Sequence, residues 1–213
     1  MRTTGLGGDS EVHLNFDNLE SAIILGPKRV LPISLVAAEN PEVVHTALDK
    51  QLKGNLQRDQ DGRFVRRTIF KSQTDLPDRE QQLLNKLGNS LQPLSDVITT
   101  RLEKQALVRL VMRGLVEISA LTPTDASHIL GFTDVWDKAA ALKVLTLFGR
   151  QRTRMGVEFC RDTTVLAQKI IDQLTNQTAL ALLETAFSEE TFEFGDKPKA
   201  LANHVLMQAG LFD

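Results

Sequence analysis

The sequence predicts an α+β fold that is predominantly α-helical, and three observations carry that reading. Strand-like alternation is confined to short stretches in the N-terminal third. From about residue 75 onward, apolar residues recur at helical spacing. Several of these periodic segments are bracketed by helix start and stop signals, Thr-Pro or Asn-Pro in front and Gly behind.

The first element comes from "TTGLGGDSEVHLNF" (residues 3–16), read as strand, glycine turn, strand. Glu11 to Phe16 alternate polar and apolar, the period of a half-buried strand, with His13 on the polar face. An apolar run from Ser21 to Leu25 is expected to stop at Gly26-Pro27, a strong breaker. A short apolar stretch then leads into a helix starting at Asn40-Pro41 and fading by Gly54, with Asn40 as cap and Pro41 in the first turn. Asp61-Gly62 marks a hairpin-type turn, and Phe64, Thr68 and Phe70 suggest a strand after it. "SQTDLPD" reads as a linker, which closes a first unit at residues 1–74.

The second unit, residues 75–121, holds three helical segments and a strand. "PDREQQLLNKLGNS" ends at Gly88-Asn89 and "PLSDVITT" is short. In "LEKQALVRLVMRGLV", Leu102, Ala106, Leu107, Leu110 and Val111 share a helical face that Gly114 ends. "VEISALTP" supplies a brief strand. Helix, helix, helix, strand over about forty residues is a winged-helix-like layout. Arg101, Lys104, Arg109 and Arg113 either make its third helix a recognition helix or form a solvated face on a packing unit.

Residues 122–213 are expected to be almost wholly helical. "LTPTDASHILG" starts a helix with Thr122 at the N-cap, Pro123 at the first helical position and Asp125 closing a capping-box-like pair; Gly131 ends it. Two or three longer helices follow, one of them containing Cys160, and residues 198–211 suggest a last amphipathic helix.

Composition narrows the function classes. The chain has 213 residues, 42% apolar and 24% charged, the balance of an ordinary globular protein. A net charge of −2 and a pI near 6.1 leave no global basic field for nucleic acid or an anionic membrane. A single cysteine excludes a disulfide framework and a cysteine-rich zinc site, which points to a reducing compartment, the cytoplasm. No run approaches 18 apolar residues, so no membrane partner is expected. With no Tyr and 5% aromatics, base-stacking platforms are disfavoured as well.

Three stretches together resemble the hydantoinase/oxoprolinase family, specifically its ATP-binding subunit. They are "RTTGLGGDSEV" (2–12), "LGPKRVLPISLVAAENPEV" (25–43) and "LTPTDASHILG" followed by "WDKAAA" (121–141). The resemblance covers residues 2–142. It implies that the first unit is a piece of an actin-like, ribonuclease-H-like ATPase lobe. It implies ATP-dependent opening of five-membered cyclic amides such as hydantoins or 5-oxoproline, or a nucleotide-binding role in a ketone carboxylase. The cofactors implied are ATP and Mg²⁺ in the full-length parent, with neither held tightly by this chain alone. The partners implied are the rest of the parent chain or a second hydantoinase-type subunit, and an exposed apolar face would add a homo-oligomer.

The same resemblance assigns roles by position. Gly5, Gly7, Gly8 and Ser10 would contact nucleotide phosphate, because glycine lets backbone N–H groups approach without obstruction. Asp9 would be the catalytic residue, orienting a Mg²⁺-bound water or the nucleophile; its alternative is a turn aspartate bonding its own backbone. Thr124, Asp125 and His128 would face substrate, with a helix-packing histidine as the alternative for His128. No protein metal site is expected, since His13, His45, His128 and His204 lack ligand spacing. The family's Asp-x-Gly-Gly-Thr phosphate loop and its late Gly-Ala-Pro-type segment are absent. The expectation is therefore a fragment that is inactive alone, against the other reading of a non-catalytic winged-helix-like regulator. Two basic clusters, "RRTIFK" (66–71) and "GRQRTR" (149–154), remain as phosphate or partner contacts or as solvated element ends.

Overall fold

The computed structural model of the chain describes residues 6–16, 22–54, 58–68 and 76–189, with side chains to 186. The strand expected before the glycines, Gly5, Phe70, most of the linker and the tail helix expected at 198–211 lie outside these residues. The fold is α+β, with eight helices and two small sheets among the described residues.

β1 (Ser10–Leu14) pairs antiparallel with β2 (Ile23–Arg29), with Val12 opposite Leu25 and Leu14 opposite Ile23. Gly26-Pro27 does not end β2 as expected. The strand runs on to Arg29, and the register slips between Ser10 and Val12, so a bulge absorbs the pair. Gly26 sits at φ +67°, which glycine tolerates, and a two-stranded sheet has only edges, where proline's missing N–H costs no ladder bond.

The second sheet has the order β3-β6-β4-β5. β3 (Leu31–Pro32) runs parallel to β6 (Val116–Ala120), while β4 (Phe64–Arg67) is antiparallel to both β6 and β5 (Gln92–Pro93). β3 leads directly into α1 (Ile33–Glu39), and α2 (Pro41–Lys53) follows after one residue. Pro41 is in the first turn and Gly54 ends the helix as expected, but the Asn40 side chain makes no capping bond.

α3 (Asp78–Leu87), α4 (Leu94–Val97) and α5 (Arg101–Met112) precede β6 in the expected order. Leu102, expected on the apolar face of α5, is 49% exposed; Ala106, Leu107 and Leu110 carry the packing. β6 passes straight into α6 (Pro123–Leu130), followed by α7 (Lys138–Gly149) and α8 (Thr163–Glu189). Cys160 is a correction: it lies in the connection between α7 and α8, half-buried. Its N–H donates to Gly149 O, and a Cβ on Gly149 would sit 2.1 Å from Cys160 O. The α7–α8 link therefore folds back tightly over the end of α7, which leaves no room for a helix through Cys160.

Two apolar cores result. Ile33, Val36, Leu48, Leu145, Leu166 and Ile170 belong to one, which joins α1, α2, α7 and α8. Leu83, Leu87, Leu107 and Leu110 belong to the other, between α3 and α5. β4 serves both, because successive strand residues point to opposite faces: Phe64 enters the first core and Val65 the second, each fully buried.

Polar contacts set how α3 and α5 meet. Glu80 is 1% exposed and receives Arg109 Nε at 2.9 Å and Arg113 Nε at 3.5 Å. Two of the four cations considered for a recognition helix are thus committed to a buried carboxylate. Arg101 and Lys104 are exposed.

Thr100 and Glu103 form a reciprocal capping box at the start of α5. Lys86 Nζ lies 2.7 Å from Glu103, and the N–H groups of Thr99 and Thr100 each donate to the same carboxylate at 2.9 Å. The Lys86 contact, then these backbone bonds, hold the Glu103 carboxyl at about 2, below its ordinary 4.5. A lowered folded value stabilises the fold above pH 4.5, and that contribution fades as pH falls towards 2. Glu103→Gln is expected to melt below the parent at pH 7 by about 2–4 °C, the equivalent of about 1 kcal/mol of lost capping. The gap should close as a pH series of thermal melts approaches pH 2; a gap independent of pH would assign the loss to packing.

Candidate functional site

The helix start at Thr122 is built as its residue order dictates. Thr122 Oγ1 accepts from the Asp125 N–H at 3.4 Å, Pro123 occupies the first helical position, and Gly131 closes α6 at φ +77°. Asp125 returns the bond, accepting at Oδ2 from Thr122 N–H at 3.0 Å and Oγ1 at 2.9 Å.

The carboxylate does more than close that box. Its Oδ2 also accepts from Ile33 N–H at 3.2 Å, and Oδ1 accepts from Ser34 N–H at 2.8 Å and Ser34 Oγ at 2.7 Å. Ile33 and Ser34 are the first two residues of α1, whose N-cap is Pro32 and which has no side-chain cap of its own. One carboxylate therefore satisfies the starts of two helices, where exposed N–H groups and the helix dipole both favour negative charge. Asp125 has no exposed surface, and burial pushes its carboxyl above the usual carboxylate value against the pull of Ser34, Thr122 and Ile33. Three of its donors are backbone N–H groups, which can only donate, so the ionised form is the one this site accommodates.

The glycine turn is seated on the same helix start. Thr124 donates to Gly8 O twice, from N–H at 3.1 Å and from Oγ1 at 2.7 Å. Ser10 is fully buried; its Oγ accepts from Gly7 N–H at 2.9 Å while its N–H donates to Gly7 O at 3.0 Å, which closes the turn. Asp9 pairs with Arg29 at 3.1 Å, and its carbonyl accepts from Val30 N–H at 2.9 Å. Val12 N–H reaches Leu121 O at 2.9 Å, which ties β1 to the entry of α6. Among the described residues, the N–H groups of Gly8 and Asp9 record no partner, and the Asp9 carboxylate is half-exposed.

The structure thus brings together Gly7, Gly8, Asp9, Ser10, Thr124 and Asp125, while Gly5 lies outside the described residues. Of these, Asp125 faces Thr122 and α1, and Thr124 faces the turn. His128 is 1% exposed and stacks on Trp136 at 5.9 Å. Its Nε2 accepts from Trp136 N–H at 3.1 Å, which places the proton on Nδ1, 2.8 Å from Thr124 O. Both ring nitrogens are therefore used in fastening the loop after α6 to that helix.

Sequence reasoning missed Ile33 and Ser34, because their carboxylate lies 91 residues or more away and nothing local announces it. It also missed the tie between α2 and α7. Lys143 Nζ, which can only donate, contacts His45 Nδ1 at 3.1 Å, so His45 Nε2–H donates to Asp137 at 2.8 Å. Lys143 also pairs with Asp49 at 2.6 Å. Asp137 caps α7 through Ala140 N–H; burial opposes its ionisation, but that bond and His45 outweigh it and hold the carboxyl below its usual value. An aspartate one residue before a helical run was the available signal for that cap.

Arranged this way, the turn offers two backbone N–H donors beside one half-exposed carboxylate, a pattern suited to an oxyanion accompanied by a cation. Among the described residues no cluster of three His, Cys, Asp or Glu could hold a metal on protein ligands alone. Mg²⁺ commonly takes one or two carboxylates plus phosphate oxygens, and the one carboxylate at this turn, Asp9, is already paired with Arg29. Among the described residues no helix is long and apolar enough to cross a membrane.

Close packing at Gly8 makes the seat testable. A Cβ there would lie 2.7 Å from Thr124 Oγ1. Gly8→Ala is expected to cost about 1 kcal/mol by displacing that hydroxyl, and the cost should shrink in a Thr124→Ala background, read by denaturant unfolding in a double-mutant cycle. Asp125→Ala should cost about 3 kcal/mol or more, because it strands buried N–H donors at two helix starts; a loss under about 1 kcal/mol would contradict the double-cap assignment.

Comparison with protein-family models, with curated proteins and with solved structures finds no match to this chain.

Proposed function

We propose that this chain is part of an ATP-dependent enzyme that opens five-membered cyclic amides, with the Gly7–Ser10 turn as one of its phosphate-contacting loops. One observation carries the reading: the three stretches that resemble the hydantoinase/oxoprolinase family converge. Asp125 of the third binds Ile33 and Ser34 of the second, and Thr124 of the third binds Gly8 of the first. Segments more than ninety residues apart are thereby held as one unit around the glycine turn. On this reading residues 1–74 belong to an actin-like lobe, and the remainder of the nucleotide site is supplied by the parent chain or a second subunit.

ATP with Mg²⁺ would supply a phosphoryl group that converts an unreactive amide oxygen into a leaving group. The N–H groups of Gly8 and Asp9 would hold phosphate oxygens, since Gly8 has no side chain of its own to obstruct them. Asp9 would accept from Mg²⁺-bound water, and Arg29, already 3.1 Å from its carboxylate, would keep it oriented. Thr124 would fix the turn by its paired bonds to Gly8 O, and Asp125 would act as a positioning residue beneath it.

The test uses the 213-residue chain with a non-hydrolysable ATP analogue and Mg²⁺, followed by amide NMR. The Gly8 and Asp9 signals are expected to shift most, and silence at both up to about 10 mM ligand, a regime of about 3 kcal/mol binding, would sink the reading. In the parent enzyme, Asp9→Ala should lower kcat by about 100-fold with little change in fold, and an unchanged rate would reduce Asp9 to a turn residue. No turnover of hydantoin or 5-oxoproline is expected from this chain alone.

A further inference from the structure

A second concave site lies at the other end of β1, away from the glycine turn. It is a cleft of about 860 Å³ between β1, the end of α2, the turn at 58–63, α7 and the 150–158 connection. That volume is in the range of small-molecule sites. Its base reaches the apolar core at Val12, Leu121, Val144, Leu147 and Phe148, all at least nine-tenths buried, and its accessible apolar surface comes from the half-buried Leu14 and Leu52. Its rim carries Arg58, Arg150 and Arg152, the last two from the basic cluster "GRQRTR".

The charge state of this rim is uneven. Among the described residues, none of these three guanidiniums has a carboxylate within 4 Å. Arg150 Nη1 donates to Leu52 O at 2.7 Å and Arg152 Nη1 to Gly156 O at 2.6 Å, bonds that fix direction and leave the charge uncompensated. The carboxylates beside them are differently placed. Glu158 is paired with Arg161; Asp61 accepts from Arg58 N–H, which closes its own turn, and neither Asp61 nor Asp59 has a cation within 4 Å among the described residues. The fourth arginine of the lining, Arg63, is paired with Glu11. Three open cations thus face two open carboxylates across the cleft, an excess of positive charge.

The frame is also rigid. Gly62 at φ +72° donates to Gln51 Oε1 at 2.8 Å, and a Cβ on it would lie 2.9 Å from Val144 Cγ2, so the 58–63 turn is pressed against α7. Thr153 N–H to Val157 O and Phe159 N–H to Gln151 O, both 2.8 Å, brace the opposite wall. Preset guanidinium donors with five N–H groups each recognise a carboxylate or phosphate in bidentate fashion. An apolar floor favours the ring that such a group is attached to.

We propose that this cleft binds a small organic anion, its carboxylate or phosphate held by Arg58, Arg150 and Arg152 and its apolar ring lying against Leu14 and Leu52. This site is separate from the glycine turn and does not depend on the nucleotide reading.

Calorimetric titration of the 213-residue chain tests it with four probes: 2-naphthyl phosphate, 2-naphthoate, neutral 2-naphthol and inorganic phosphate. At least one ring-bearing anion is expected to bind in the sub-millimolar range, about tenfold or more tighter than both the neutral ring and inorganic phosphate. The tighter of the two ring anions identifies the anionic group preferred. Arg150→Gln with Arg152→Gln should weaken it by about tenfold with melting unchanged, and Arg58→Gln, on an exposed turn, repeats the test if the double variant fails to fold. Ring anions that bind no tighter than 2-naphthol, or affinity that survives the arginine variants, would overturn the proposal.

Discussion

The carboxylate of Asp125 sits where two helix starts meet, and the rest of the N-terminal architecture follows from what it accepts. α1 begins at a proline, which cannot cap through its side chain, so its first N–H groups need an acceptor from elsewhere. Asp125 supplies it while closing its own capping box, and no water has access to the group. Because α1 continues from β3, and β3 pairs with β6 immediately before α6, the same anion also holds the corner where the sheet changes into helix. Burying a charge is costly unless its lone pairs are filled, and five donors fill them here.

Rigidity at that corner passes to the glycine turn. Gly8 O is held by two donors from Thr124, and Ser10 is buried in closing the turn. What stays open is a narrow set, the N–H groups of Gly8 and Asp9, beside a half-exposed carboxylate that is paired with Arg29. A turn whose carbonyls at Gly7, Gly8 and Asp9 are all engaged, while its Gly8 and Asp9 amides are not, keeps those two donors for an anion. The Arg-rimmed cleft beyond Leu14 is organised differently, by side-chain cations above apolar walls, so the two ends of β1 offer unlike chemistry.

Where the chemistry is local, the sequence was readable. Thr122, Pro123, Asp125 and Gly131 announce α6 within ten residues, and each takes the expected backbone role. Gly54, Gly88 and Gly114 end their helices for the same reason. The box at Thr100 and Glu103 has the same Thr-x-x-acid spacing and could have been read as well. Ser34, Glu80 and His45 could not, because their partners lie 91, 29 and 92 residues away, so only the fold decides that they meet. Gly26-Pro27 misled for the opposite reason: a breaker signal assumes that the strand needs proline's N–H, and an edge strand does not. Gly7, Gly8, Asp9 and Ser10 were picked out correctly as a turn, yet their seat on Thr124 required the tertiary contact to be visible.

Trp136 is the chain's only tryptophan, and its position has a spectroscopic consequence. Its ring lies flat against His128, its backbone N–H donates to that imidazole, and the next residue caps α7. An indole stacked on an imidazole changes its emission when that ring moves away. The native fluorescence of this protein therefore reports on a single place, the splice between α6 and α7 directly behind the glycine turn, without any introduced label.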